Sequence, residues 1–179
     1  MLEDIKSVLL TEEQIISRVK EIGSIITNDY RGKDLLVVGI LKGSVMFASE
    51  LIKNITIPCE IDFMAVSSYG KSTETSGIVR ILKDLDYGIE GKDILIVEDI
   101  IDSGITLDYL LKYLKARKAN SIQIATLLTK PSRRRVDIEV KYCGFEVPDE
   151  FLVGYGLDFA EKYRNLPYVG ILKEEIYKK

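Results

Sequence analysis

At 179 residues the chain has the length of one domain with room for a sizeable core. Its 46% hydrophobic and 30% charged residues are the balance of a soluble globular protein, and a net charge of −3 gives no general pull toward nucleic acid. With no histidine, any general base must be a carboxylate, lysine, tyrosine or thiolate, and any metal site must be built mainly from oxygen.

Thr11-Glu12-Glu13-Gln14 has the form of a capping box and opens a helix. Ile15, Val19, Ile22 and Ile26 form its apolar stripe, and the pattern fades near Asn28. Residues 35–41 read as a first buried strand. Lys42-Gly43-Ser44 then makes a turn into a second helical pattern, from Val45 to about Asn54, with Val45, Ala48 and Ile52 inward. A lysine beside turn amides suits a diphosphate, but a plain connection carries the same residues. Residues 61–66 form another strand. The polar, glycine-bounded stretch 67–77 follows, with no apolar anchor except Tyr69. Loops of that length in compact domains are functional or disordered, and a lid that excludes water is the expectation here. Residues 78–83 read as the strand leaving it.

The central stretch begins with Ile94-Leu95-Ile96-Val97, an apolar and mostly β-branched run that suits a strand buried on both faces. Glu98 and Asp99 follow, then Asp102-Ser103-Gly104-Ile105-Thr106, then Leu107, Leu110, Leu111 and Leu114 at helical spacing. This is strand, tight loop, helix, with the helix running to about Lys118. Amides of residues 103–106 at a helix N-terminus, beside two hydroxyls, favour a phosphate. Glu98 and Asp99 accept hydrogen bonds without donating, which suits the hydroxyls of a ribose or a hard cation such as Mg²⁺. Helix capping by Asp102 or Ser103, with a solvated Glu98-Asp99 pair, fits the same residues.

Residues 121–128 add a further strand, and the alternation of strands with helices indicates a mainly parallel α/β sheet flanked by helices. Ligands in such sheets bind at the carboxyl ends of the strands, and Lys42, Asp99, Asp102 and Lys130 all fall just beyond expected strand ends. A lysine at 130 would donate to a carbonyl oxygen, but it also reads as one more of many surface lysines. Arg133-Arg134-Arg135 reads as a solvated or subunit-facing surface more readily than as an RNA site. Residues 136–147 alternate like a sheet edge, residues 148–150 turn, and residues 151–158 concentrate aromatics, glycines and Asp158. Phe151 can stack on a flat heterocycle or fill a core. Residues 169–172 are expected to close the sheet, with a solvated Lys/Glu-rich tail after them. No run approaches the roughly 18 apolar residues of a membrane span. The start lacks a basic-then-apolar signal, and Cys59 and Cys143 suit free thiols in a reducing cytoplasm.

Residues 97–106, Val-Glu-Asp-Ile-Ile-Asp-Ser-Gly-Ile-Thr, resemble the phosphoribosyl-pyrophosphate (PRPP) motif of the type I phosphoribosyltransferases. From near Leu9 onward the chain resembles the hypoxanthine-guanine members of that family. The resemblance implies one domain over residues 1–179, with a core of about 35–130. A base-binding hood would come from the N-terminal segment and about 130–168. It implies Mg²⁺-dependent transfer of 5-phosphoribosyl from PRPP to hypoxanthine or guanine, releasing pyrophosphate. By that match Ser103, Gly104, Ile105 and Thr106 hold the 5-phosphate. Glu98 and Asp99 hold the ribose and, with Asp158, the metal. Lys42, Gly43 and Arg164 meet pyrophosphate, and the Leu41–Lys42 peptide is often cis in the family. Ser68 and Tyr69 fall in the lid. Lys130, Phe151, Leu152 and Asp158 meet the base, and Asp102 takes a proton from its imidazole ring. Some relatives carry lysine where this chain has Ile105, so phosphate binding here rests on amides and hydroxyls. The same fold could serve xanthine or a pyrimidine, or an RNA-binding regulator for which Arg133 to Arg135 are the sequence support. The family is usually homodimeric or homotetrameric.

Overall fold

The computed structural model describes residues 1–68 and 79–178. The expected lid residue Tyr69 lies outside them, and Ser68 is the last residue of a strand.

Strand β1 (Ile5–Leu10) leads into helix α1 (Glu12–Asp29), whose capping box forms as the sequence predicts. The Thr11 hydroxyl accepts from the Gln14 amide at 3.3 Å, and the Gln14 side chain accepts from the Thr11 amide at 2.9 Å. Then come β2 (Leu35–Leu41), α2 (Val45–Lys53), β3 (Glu60–Ser68), β4 (Val79–Lys83) and β5 (Asp93–Ile101). The chain continues with α3 (Ile105–Ala116), β6 (Ser121–Thr129), β7 (Tyr142–Glu146), β8 (Leu152–Val153), β9 (Val169–Leu172) and the short α4 (Glu174–Tyr177).

Six strands form the main sheet in the order β4-β3-β2-β5-β6-β7. All its pairings are parallel except β3 with the edge strand β4. Its interior strands are apolar on both faces because helices cover both. Leu35, Val37, Leu95 and Val97 pack with α1 and α2, whereas Leu36, Val38, Ile94 and Ile96 pack with Leu107, Leu110 and Leu114 of α3. Period-two alternation along each strand divides the residues between these two cores.

The structure departs from the sequence reading at several elements. Helix α2 buries Phe47, Ala48 and Leu51; Val45 is 38% exposed and Ile52 only half-buried. Both stripes of α2 are apolar, so periodicity alone did not choose between them. Strand β9 does not close the main sheet. It is the middle strand of a second, antiparallel sheet, β1-β9-β8, in which Ile5 pairs with Leu172 and Leu152 with Ile171. Within residues 136–147 only Tyr142–Glu146 is strand, at the edge of the main sheet.

Strand β5 also runs longer than expected. Its pairing with β6 continues to Ile101 opposite Thr129, so Glu98 and Asp99 sit inside the strand and not beyond it.

Candidate active site

The carboxyl ends of β2, β5 and β6 converge beneath the second sheet. At the ends of β5 and β6 lies a cleft of about 650 Å³ lined by Asp99, Asp102, Lys130, Phe151, Leu152 and Asp158, among others. A smaller one of about 120 Å³ opens next to it, where Glu98, Asp102, Ser103, Gly104 and Thr106 meet. Asp102 lines both.

The small cleft is the loop between β5 and α3. Gly104 caps α3 with φ 82°, a left-handed conformation that L side chains rarely adopt. A Cβ there would also meet Ile138 and Val136 methyls at 3.0 Å. The loop is braced where the Ser103 carbonyl accepts from the Arg135 amide at 3.0 Å. Ile105 begins α3, and its amide makes a long contact of 3.4 Å to the Ser103 hydroxyl. A glycine cap leaves the first-turn amides without a side-chain acceptor of its own, which suits an anion.

Consecutive strand residues point to opposite sides, and this separates the two acids. Glu98 turns to the small cleft and Asp99 to the large one. Burial and the neighbouring charge of Asp99 hold the Glu98 carboxyl well above the ordinary range. Burial pushes Asp99 up to about 6, against the Ile100 amide and Arg164, which favour its ionised form. Asp99 also fills the space beside the β2 turn: a Cβ on Gly43 would fall 1.7 Å from its Oδ2. Gly43 is closed from the other side by Gly156, whose own Cβ would lie 2.0 Å from the Gly43 carbonyl oxygen. The Leu41–Lys42 peptide of this turn is cis.

Around this turn the expected diphosphate cations are held by acids. Lys42 pairs with Glu161 at 2.8 Å. Arg164 pairs with Asp158 at 2.9 Å and donates to the Gly156 carbonyl at 2.8 Å, while its buried Nε has no hydrogen-bond partner. Glu161, which sequence reasoning missed, holds φ 62°. Neither its residue type nor its spacing could have marked it.

On the far wall, Lys130 is 7% exposed and donates to the Glu150 carbonyl at 2.7 Å, so it is no ordinary surface lysine. Arg133 and Arg134 are not a free basic patch. Arg133 lies 3.0 Å from Asp102 and 3.1 Å from Asp149, and Arg134 donates to the Thr129 hydroxyl at 2.6 Å. The contact with Asp102 is an ion pair without hydrogen-bond geometry, and the buried Asp102 Oδ1 has no hydrogen-bond partner. Phe151 presents a ring to the cleft, and Leu152 lies in β8, the edge strand of its sheet.

Asp99 and Asp158 share the large cleft, and the charge of Asp158 opposes ionisation of Asp99. Among the described residues no three acidic or cysteine side chains gather into a cation cage. Two carboxylates on one cleft nevertheless fit Mg²⁺, which binds through one or two carboxylates with substrate phosphates completing its shell.

Residues 7–160 match the family model described as a phosphoribosyl transferase domain. The chain belongs to the phosphoribosyltransferase family. It is 56% identical to the hypoxanthine-guanine phosphoribosyltransferase of Bacillus subtilis (strain 168) over 177 residues, covering 99% of this chain and 98% of that protein. With the same-named protein of Staphylococcus epidermidis it shares 58% identity over 179 residues and the full length of both. The crystal structure of a hypoxanthine phosphoribosyltransferase from Staphylococcus aureus superimposes with a TM-score of 0.97 at 57% identity, covering 100% of this chain and 97% of that one. The type I fold expected from residues 97–106 is therefore the fold of this chain.

Proposed function

We propose that the protein salvages purines, transferring 5-phosphoribosyl from PRPP to hypoxanthine or guanine with release of pyrophosphate. The observation that carries this reading is the position of Asp102, on the boundary between an anion cradle and an aromatic-walled cleft. A ribose 5-phosphate bound across that boundary puts its anomeric carbon beside Asp102 and the incoming base.

In this reading the amides of residues 103–106, with the Ser103 and Thr106 hydroxyls, hold the 5-phosphate. Glu98 and Asp99, on opposite sides of β5, accept from the ribose hydroxyls. Lys42, Gly43 and Arg164 receive pyrophosphate. Asp99 and Asp158 would hold Mg²⁺, with Glu98 close by on the same strand as Asp99, and the bound ion would neutralise charge on the diphosphate. Lys130 donates to the 6-oxo group, Phe151 stacks on the ring and the free edge of β8 at Leu152 meets the base through its main chain. Asp102, which lines both clefts, accepts the imidazole proton as the glycosidic bond forms. Positioning and charge neutralisation carry most of the rate, because pyrophosphate is already a good leaving group.

Residues 1–179 act together in this scheme, the core of about 35–130 holding the sugar and the hood holding the base. Ser68 and Tyr69 are proposed to belong to a closing lid. A cytoplasmic homodimer or homotetramer is the working assembly, which mass in solution tests. Among the described residues no helix is long and apolar enough to cross a membrane.

The test is nucleotide formation from PRPP and Mg²⁺ with hypoxanthine, guanine, xanthine, adenine and uracil in turn. Product from hypoxanthine or guanine is expected. Product from adenine or uracil alone, or from none of the five, would overturn the reading.

A further inference from the structure

The Lys/Glu-rich tail expected to be solvated is built into the hood. The Lys173 amide donates to the Asp4 carbonyl at 2.9 Å, α4 makes a helical turn, and Ile176 and Tyr177 pack on the hood's apolar cluster. The Tyr177 ring stacks on Phe151 with centroids 4.6 Å apart and planes 25° from parallel. Phe159 meets the same ring edge-on at 5.5 Å and 89°. The backbone of Phe151 is fixed as well, since its carbonyl accepts from the Leu172 amide at 2.8 Å.

We propose that Tyr177 is a positioning residue for the purine: it backs the Phe151 ring and holds it as a preformed stacking platform. This rests on the reading of the large cleft as a purine site. Tyr177 lines that cleft, yet with the tyrosine in place the cleft still measures about 650 Å³, within the range of small-molecule sites. The tyrosine therefore supports a wall and does not fill the space. A platform ring that is already clamped loses little freedom when a base stacks on it, whereas an unsupported ring must be ordered by the ligand. The effect belongs to the base and not to the sugar phosphate, because the cradle at residues 103–106 has no contact with the tail among its lining residues.

Steady-state kinetics of the full chain with Tyr177→Ala and Tyr177→Phe test this, varying purine and PRPP separately, with thermal melting alongside. Loss of an aromatic pair should raise the purine KM of Tyr177→Ala roughly two- to tenfold. The PRPP KM should stay within about twofold, and Tyr177→Phe, which keeps the ring, should rescue the purine KM. An unchanged purine KM in Tyr177→Ala overturns the inference. A lowered one overturns it too, by showing that the tyrosine competes for the base's own place, and so does an equal rise in both KM values. A wild type without transferase activity defeats the reading of the site itself, whereas an active wild type indifferent to Tyr177→Ala defeats only this inference.

Discussion

Replacing Asp99 with asparagine should make the protein more stable and less active, and the gain in stability should depend on pH. In the unfolded chain this carboxyl titrates near 3.8; in the fold, burial pushes it up to about 6. The folded state thus holds its proton more tightly between those values, and stability falls as pH rises through that window. Above pH 7 the ionised, buried form costs the fold about 3 kcal/mol. Asparagine removes that cost and keeps an oxygen to accept from the Ile100 amide, which now bonds Asp99 Oδ1 at 2.7 Å. It loses the attraction to Arg164, so the net gain at pH 8 should be about 1–2 kcal/mol, or about 2–8 °C in Tm for a chain of this size. The gain should shrink as pH falls through this window and vanish only below about pH 3.8, where the unfolded carboxyl is protonated too. The kcat/KM for PRPP should drop at least about tenfold, as loss of a charged acceptor implies. Thermal melts of both proteins at pH 4.5 and pH 8 decide it. Equal Tm values at pH 8, or the same gain at both pH values, would refute the burial argument.

Asp102→Asn should cut kcat on the order of 10²-fold, the usual size of general-base catalysis, while leaving the purine KM within a few-fold. Near-normal turnover would remove Asp102 as the base. Gly104→Ala forces a side chain into φ 82° against Val136 and Ile138. It should cost about 1–2 kcal/mol and raise the PRPP KM, read from melting and initial rates; an unaltered PRPP KM would contradict the loop's role. Glu161→Gln releases Lys42 and weakens a competitor for Arg164. Exposed pairs are weak, so the KM for pyrophosphate in the reverse reaction should fall only about two- to threefold, and a rise would show that Glu161 assists binding.

What could be read in the chain itself was whatever is local. The capping box of α1 and the apolar runs of β2, β5 and β6 depend on neighbours within a turn or a few strand residues, and they appear where periodicity put them. The strand, loop and helix around residues 98–106 were legible for the same reason, since these residues are contiguous. Pairings between distant segments were not. The second sheet joins Ile5 to Leu172, and no composition signal at either end announces the other. Arg133 reads as surface charge until the fold brings it to Asp102, and Tyr177 is hidden in a tail whose charges suggest solvent. The opposed facing of Glu98 and Asp99 was implicit in strand geometry, but only once β5 was known to run on to Ile101.

A crystal structure of the protein with inosine monophosphate bears on the central claim most directly. The phosphate should lie on the amides of residues 103–106, the ribose over Glu98 and Asp99, and the hypoxanthine ring against Phe151 with its imidazole edge at Asp102. A phosphate bound instead at the Lys42-Gly43 turn, with the base away from Phe151, would contradict the account.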